Sequence, residues 1–178
     1  MREPAHDPSH RACRLARLFA APAAAADWTI GPAPSDYPDL FAATVIGEGG
    51  HRLFLWAKHV DGRYQVFAEL HLADGAAFAD AMPTYRIDGG TEVDTDAIRR
   101  AGEAEGALWG FVGDAVAVWL LWSSDAGVTR RGDSLWPWLT GREAQVSFAA
   151  ADGPRRTVAF PLDGSSEAIL AAAGLRRE

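Results

Sequence analysis

The stretch His51 to Leu72, HRLFLWAKHVDGRYQVFAELHL, constrains this chain more than any other, because a two-residue turn signal stands between two runs of alternating polarity. Asp61-Gly62 suits a type I′ turn, in which both central residues take positive φ, a conformation Gly adopts freely and Asp tolerates. Closing a hairpin there sets Val60 opposite Arg63, Trp56 opposite Phe67 and Leu53 opposite Leu70. Cross-strand partners share a face of the sheet. One face then carries Leu53, Leu55, Ala57, Val66, Ala68, Leu70 and Leu72, a row that belongs in a core. The other carries Arg52, Phe54, Trp56, Lys58, Gln65, Phe67, Glu69 and His71, polar with an aromatic centre. A slip by one residue would set Leu53 against His71 and mix the faces, so turn and pattern agree on a single register.

The remaining segments extend this sheet-forming pattern. Asp27 to Ile30 is a short strand candidate that ends in the proline-interrupted GPAPSDYPD. Leu40 to Gly47 reads as a strand that feeds through Glu48-Gly49-Gly50 into the central hairpin, giving a meander. Thr84 to Ile87 is another strand, stopped by Asp88-Gly89-Gly90. Asp94 or Thr95 can N-cap a short helix through Arg100, with Gly102 past its end. Leu108 to Val112 and Val116 to Trp122 form a second hairpin around Gly113-Asp114. In its second strand Val116, Val118, Leu120 and Trp122 fall on one face and Ala117, Trp119 and Leu121 on the other. Apolar residues on both sides mean a central strand covered twice or a strand at a subunit interface, where a homo-oligomer could form.

Gly132 to Gly141, GDSLWPWLTG, suits a turn and one helical turn carrying Leu135, Trp136, Trp138 and Leu139. In the last hairpin, Ala144 to Leu162, a three-residue loop at Asp152-Gly153-Pro154 pairs Phe148 with Val158 and Val146 with Phe160, with Gly153 left-handed. Ser165 or Ser166 then caps a terminal helix that stops at Gly174. The expected fold class is all-β: an antiparallel β-sandwich of hairpins with one or two short helices, one of them C-terminal.

At 178 residues the chain is long enough for one domain with a core and short for two. Residues 1–26 differ from the rest: Arg2, Arg11, Arg14 and Arg17 precede LFAAPAAAA, and Ala24-Ala25-Ala26 resembles a signal-peptidase site. The expectation is an export leader followed by a single domain over 27–178 in the periplasm or outside the cell. If the leader is not a signal, the protein is cytoplasmic with an Ala/Pro-rich start. Past the leader, 13 basic residues face 22 acidic ones, which argues against nucleic acid or an anionic membrane as partner. No stretch approaches the roughly 20 apolar residues that span a bilayer as a helix. Cys13, the only cysteine, lies in the leader, so the domain must be stable by packing without a disulfide.

The motifs that suggest chemistry lack their partners. Gly132-Asp133-Ser134-Leu135 matches the nucleophile block of a family of esterases, yet the chain has no Asn for an oxyanion hole and no His after His71. Arg131-Gly132-Asp133 is an integrin-type tripeptide that an Arg-, Gly- and Asp-rich chain also produces by chance. His59, Glu69 and His71 cannot converge on a metal, because the hairpin register puts His59 on the face opposite the other two. Gly47-Glu48-Gly49-Gly50 lacks the lysine and helix of a phosphate loop. No catalytic residue, metal or cofactor is expected. Seven tryptophans leave two readings: Trp56 with Phe54 and Phe67, or Trp136 with Trp138, form a stacking platform for a sugar ring or a partner's apolar surface, or they fill the core or the ends of the sandwich.

The order of features resembles the invasion-associated locus B family of exported bacterial proteins. The likeness lies in the leader running into Asp27-Trp28, the strand ending at Ile87-Asp88-Gly89, Leu135 with Leu139 and Gly141, the strand Val146-Ser147-Phe148, Asp152-Gly153, Phe160 with Leu162 and Gly164, and an Ala-rich terminal helix. Members carry paired cysteines after the Asp-Gly strand, and this chain would be a cysteine-free variant. The resemblance implies an all-β envelope domain associated with hosts or surfaces, with no catalytic residues to carry over. The expected function is a non-catalytic binding protein whose partner is a protein or a glycan. The alternative is a carbohydrate-binding module or small extracytoplasmic enzyme that uses the aromatic face.

Overall fold

The computed structural model describes residues 27–34, 39–73, 75–102 and 110–178. The leader, Cys13, Leu108 and Trp109 lie outside these residues. In chain order the strands are β1 (Thr29–Pro32), β2 (Phe41–Ile46), β3 (Arg52–Val60), β4 (Arg63–His71), β5 (Thr84–Ile87), β6 (Val93–Asp94), β7 (Gly110–Val112), β8 (Val116–Ser124), β9 (Val128–Thr129), β10 (Glu143–Ala149), β11 (Arg155–Pro161) and β12 (Arg176–Arg177). Among the described residues three α-helices accompany them, α1 (Thr95–Gly102), α2 (Trp136–Thr140) and α3 (Ser165–Ala173), with one 3-10 turn at Glu48–Gly50. The larger sheet is six-stranded and antiparallel in the order β1-β2-β3-β4-β8-β7, and a four-stranded sheet runs β11-β10-β5-β6.

The central hairpin forms in the register its turn dictates. Asp61 and Gly62 take φ of 51° and 81°, and the pairs run without a break from Val60↔Arg63 through Trp56↔Phe67 and Leu53↔Leu70 to Arg52↔His71. Leu53, Leu55, Val66, Ala68 and Leu70 are buried in the main core, and Leu72 packs at its margin. A fully buried Leu or Val side chain contributes about 1.5–3 kcal/mol, so this row anchors the sheet. Across the core stand Tyr85, Val146, Phe148, Val158 and Phe160 from the smaller sheet, with Leu135, Trp138 and Leu139 at α2 and Ile169 on α3. The arrangement is an all-β sandwich plugged by short helices.

Asp94 caps α1, its carboxylate accepting from the Asp96 and Ala97 amides at 2.9 and 3.2 Å. At α3 the N-cap is Gly164, with φ 84°, and not a serine. Ser165 is the first helical residue, and its hydroxyl donates instead to the Trp138 carbonyl at 2.7 Å, tying α3 to α2. Gly174 ends the helix in the left-handed conformation, as the sequence requires. The two-stranded parallel pairing of β9 with β12 lies in segments too short to carry a strand signal.

Two registers differ from expectation. In the last hairpin Val146 pairs with Val158, Ala144 with Phe160 and Phe148 with Arg156, two residues away from the expected alignment, and Gly153 is not left-handed. The cause is competition. Ala150 bridges Phe78, the Ala79 amide donates to the Ala149 carbonyl at 2.9 Å, and the Ala151 amide donates to Ala77 at 2.9 Å. The hairpin end therefore opens to pair with the 77–79 segment. A two-residue slip preserves facing, so Val146, Phe148, Val158 and Phe160 all still point into the core.

In β8 a bulge falls where β4 passes from Val66 to Phe67: Val66 pairs with Trp122 but Phe67 with Leu120. Leu121 and Trp122 consequently both enter the main core together with Trp119, and Trp122 leaves the face on which strict alternation placed it.

Candidate functional site

The outer face of the six-stranded sheet is the surface on which function can be sought, and the registers map it row by row. The first row reads Ile46, Arg52, His71, Val116 and Val112 across β2, β3, β4, β8 and β7. The next reads Thr44, Phe54, Glu69, Val118 and Gly110, and the third Ala42, Trp56, Phe67 and Leu120. Burial deepens along this series. Ile46 is 61% and Val112 51% exposed, whereas Trp56 and Phe67 are 1% and 0% exposed. The third row is covered because Ala33 and Leu40, just after β1 and just before β2, lie over it. Ala33 and Leu40, joined by a 2.8 Å backbone hydrogen bond, close a second small core with Ala42, Trp56, Phe67 and Val118.

Glu69 stands at the boundary between the covered and open rows. It is 5% exposed although it occupies the side of the hairpin that the sequence marks as polar. The Trp56 indole N–H donates to its Oε2 at 3.0 Å, and His71 Nε2 meets its Oε1 at 2.6 Å. The Trp56 ring stacks on Phe67 with centroids 4.7 Å apart, and the Phe54 ring leans on His71 at 4.7 Å. A buried carboxylate persists only when its oxygens are satisfied. Here one aromatic donor beneath and one imidazole at the rim satisfy them, so Glu69 fixes the His71 ring beside Arg52 on the open row.

The four residues expected to form an aromatic platform are not exposed together. Trp56 and Phe67 lie in the small core, and the Lys58 ammonium caps Phe67 at 5.4 Å from its centroid. Trp138 belongs to the main core on the opposite side of the sheet. Its ring lies 5.1 Å from that of Tyr85, whose hydroxyl pKa is pushed up by burial and held back in part by the Trp138 indole. Trp136 is half-buried, its ring beneath the Arg177 guanidinium at 5.7 Å. Trp56, Phe67 and Trp138 are buried because the packing of two sheets, with Ala33 and Leu40 over the outer face, covers what one hairpin by itself would expose. Phe54 is the aromatic side chain of that face that stays partly open.

The other motifs are absorbed by structure. Ser134 donates to the Leu121 carbonyl. The Asp133 carboxylate accepts from the Arg130 amide at 2.7 Å and the Thr129 hydroxyl at 3.4 Å, closing the turn that contains Arg131-Gly132-Asp133. The His59 ring meets that of Tyr64 at a tilt with centroids 4.6 Å apart, and among the described residues no three His, Cys, Asp or Glu side chains group as metal ligands. No helix of the described residues is long and apolar enough to cross a membrane. The buried Glu69 was not legible in the hairpin alone. The signal lay further along the chain, in the apolar outer positions of Val116 to Leu120, which become its neighbours only once β8 pairs with β4.

No family model matches the chain, and comparison with curated proteins and with solved structures finds no match to it.

Proposed function

We propose that this chain is an exported, non-catalytic binding protein of the bacterial envelope that engages a protein partner through the open row of its six-stranded sheet. One observation carries the proposal: Ile46, Val116 and Val112 flank a central Arg52 and His71, with Phe54 behind them, on a face that Ala33 and Leu40 cover in part. Ile46 and Val112, both exposed, with Val116 half-buried and Arg52 in the same row, mark an interaction surface, and Arg is a residue type on which binding energy concentrates. The partner surface that fits is apolar, with a carboxylate placed to meet Arg52. The covered Trp56, Phe67 and Trp138 favour a protein over a sugar, since stacking of a pyranose ring needs an open indole face. Export and the envelope setting are supported by the composition of residues 1–26 and by the resemblance to the invasion-associated locus B family.

The test is site-specific photocrosslinking in cells, with a benzophenone amino acid at Ile46 or Val112 and, as comparison, at Thr157 on the opposite sheet. A discrete protein adduct from the first two positions and none from the third supports the proposal, and its mass distinguishes a second copy of the chain from another protein. Equal labelling at all three positions, or none at any, refutes it.

A further inference from the structure

The outer face of the four-stranded sheet carries a different cluster. Thr157, Ser147 and Thr84 stand in one cross-strand row, and Ala159, Gln145 and Arg86 in the next. Arg155, on the edge strand β11, reaches over β10 to β5, where its Nη2 donates to the Thr84 hydroxyl and to Glu92 Oε1, the latter at 2.9 Å. Arg86 Nη2 lies 3.8 Å from Glu92 Oε2. Two guanidiniums from different strands thus converge on the two oxygens of one carboxylate, with a hydroxyl between them. Thr84, followed by Arg155 and Arg86, holds the Glu92 carboxyl below the usual range.

The groups that position the clamp sit on hydrogen-bonded strands, whereas the carboxylate comes from the connection between β5 and β6. That connection is pinned at its start, where Asp88 Oδ1 accepts from the Arg142 and Glu143 amides at 2.9 and 3.0 Å. Gly89, Gly90 and Thr91 then lead, exposed, to Glu92. The nearby acids are committed elsewhere: Asp94 caps α1, and Glu143 accepts from Gln145 at 2.7 Å. A planar carboxylate is the shape that paired guanidiniums select. Because the ion pairs to Glu92 are exposed, each is weak and exchangeable with an outside competitor.

We propose that Arg86, Arg155 and Thr84 form a carboxylate clamp for an Asp or Glu side chain of an acidic partner peptide, and that Glu92 fills the clamp in the free chain. The site is on the sheet opposite the open row and does not depend on it.

The experiment is titration of the folded chain with hexaglutamate at low ionic strength, followed through the arginine Nε–Hε resonances, with inorganic phosphate and sulfate as parallel probes. The expected result is a saturable shift of the Arg86 and Arg155 signals. Glu92→Gln should tighten binding by up to about fivefold, the ceiling set by a weak exposed ion pair. Glu143→Gln, which removes the same charge from the same face, should leave the affinity unchanged. Arg86→Gln with Arg155→Gln should weaken it by about tenfold or more, as losing two charge-assisted contacts implies. The proposal is overturned if hexaglutamate produces no saturable shift, if the double arginine variant binds as before, or if Glu143→Gln tightens binding as much as Glu92→Gln. Phosphate or sulfate binding as tightly as the peptide would also overturn it.

Discussion

Replacing Trp56 by Phe should destabilise the protein in a way that depends on Glu69. The indole N–H donates to the carboxylate of Glu69, a residue only 5% exposed, so solvent is a poor substitute for it. A hydrogen bond to a buried charged group contributes about 1.5–3 kcal/mol. Phe keeps the stacking on Phe67 but removes the donor and part of the ring volume, and the volume effect confounds the single variant. A double-mutant cycle with Glu69→Leu removes that confusion, because the lost volume is common to both legs. The expected coupling energy is about 2 kcal/mol, with Trp56→Phe costing that much less in the Glu69→Leu background. Urea unfolding followed by far-UV circular dichroism measures it without relying on tryptophan emission. A coupling below about 0.5 kcal/mol would show that the two side chains act independently and would remove the physical basis for a fixed His71 on the open row.

Three further outcomes can be measured by the same unfolding assay. Gly62→Ala should cost about 1–2 kcal/mol through backbone conformation alone, since Gly62 has φ 81° and an added Cβ there meets nothing within 4 Å. Gly141→Ala should cost about 1–3 kcal/mol for the opposite reason, because its φ of −75° suits any residue while a Cβ would stand 2.4 Å from Ile87 Cγ2 and 2.8 Å from the Pro137 carbonyl oxygen. Equal costs with equal structural change in the two variants would contradict this division. Tyr85 carries a pH signature: its hydroxyl titrates higher in the fold than in the unfolded chain, so the unfolded state releases its proton first, and stability that is intact below pH 10 falls as pH rises past it. Tyr85→Phe should flatten that alkaline fall, and an unchanged slope would show that another group causes it.

What the linear chain determined by itself is local. Asp61-Gly62 admits one tight turn, the period-two pattern around it admits one register, and together they decide which residues of the central hairpin face inward. Gly174 after α3 is likewise decided within a few residues, whereas the sequence leaves Asp94 and Thr95 both open as the cap of α1, and Thr95 is drawn away to the Pro83 carbonyl. Tertiary structure decided whatever depends on a competitor or a cover. The last hairpin gave up its tight loop because the segment at Phe78 pairs with Ala150. The β8 bulge turned Trp122 inward, and only the register of β4 against β8 shows it. Trp56 and Phe67 became buried because Ala33, Leu40 and Val118 arrive from distant parts of the sequence, and Glu69 is buried where β8 sets Val118 beside it. Alternation tells which face of a sheet a residue occupies, but burial depends on what lies over that face, and that is a property of the assembled sheets.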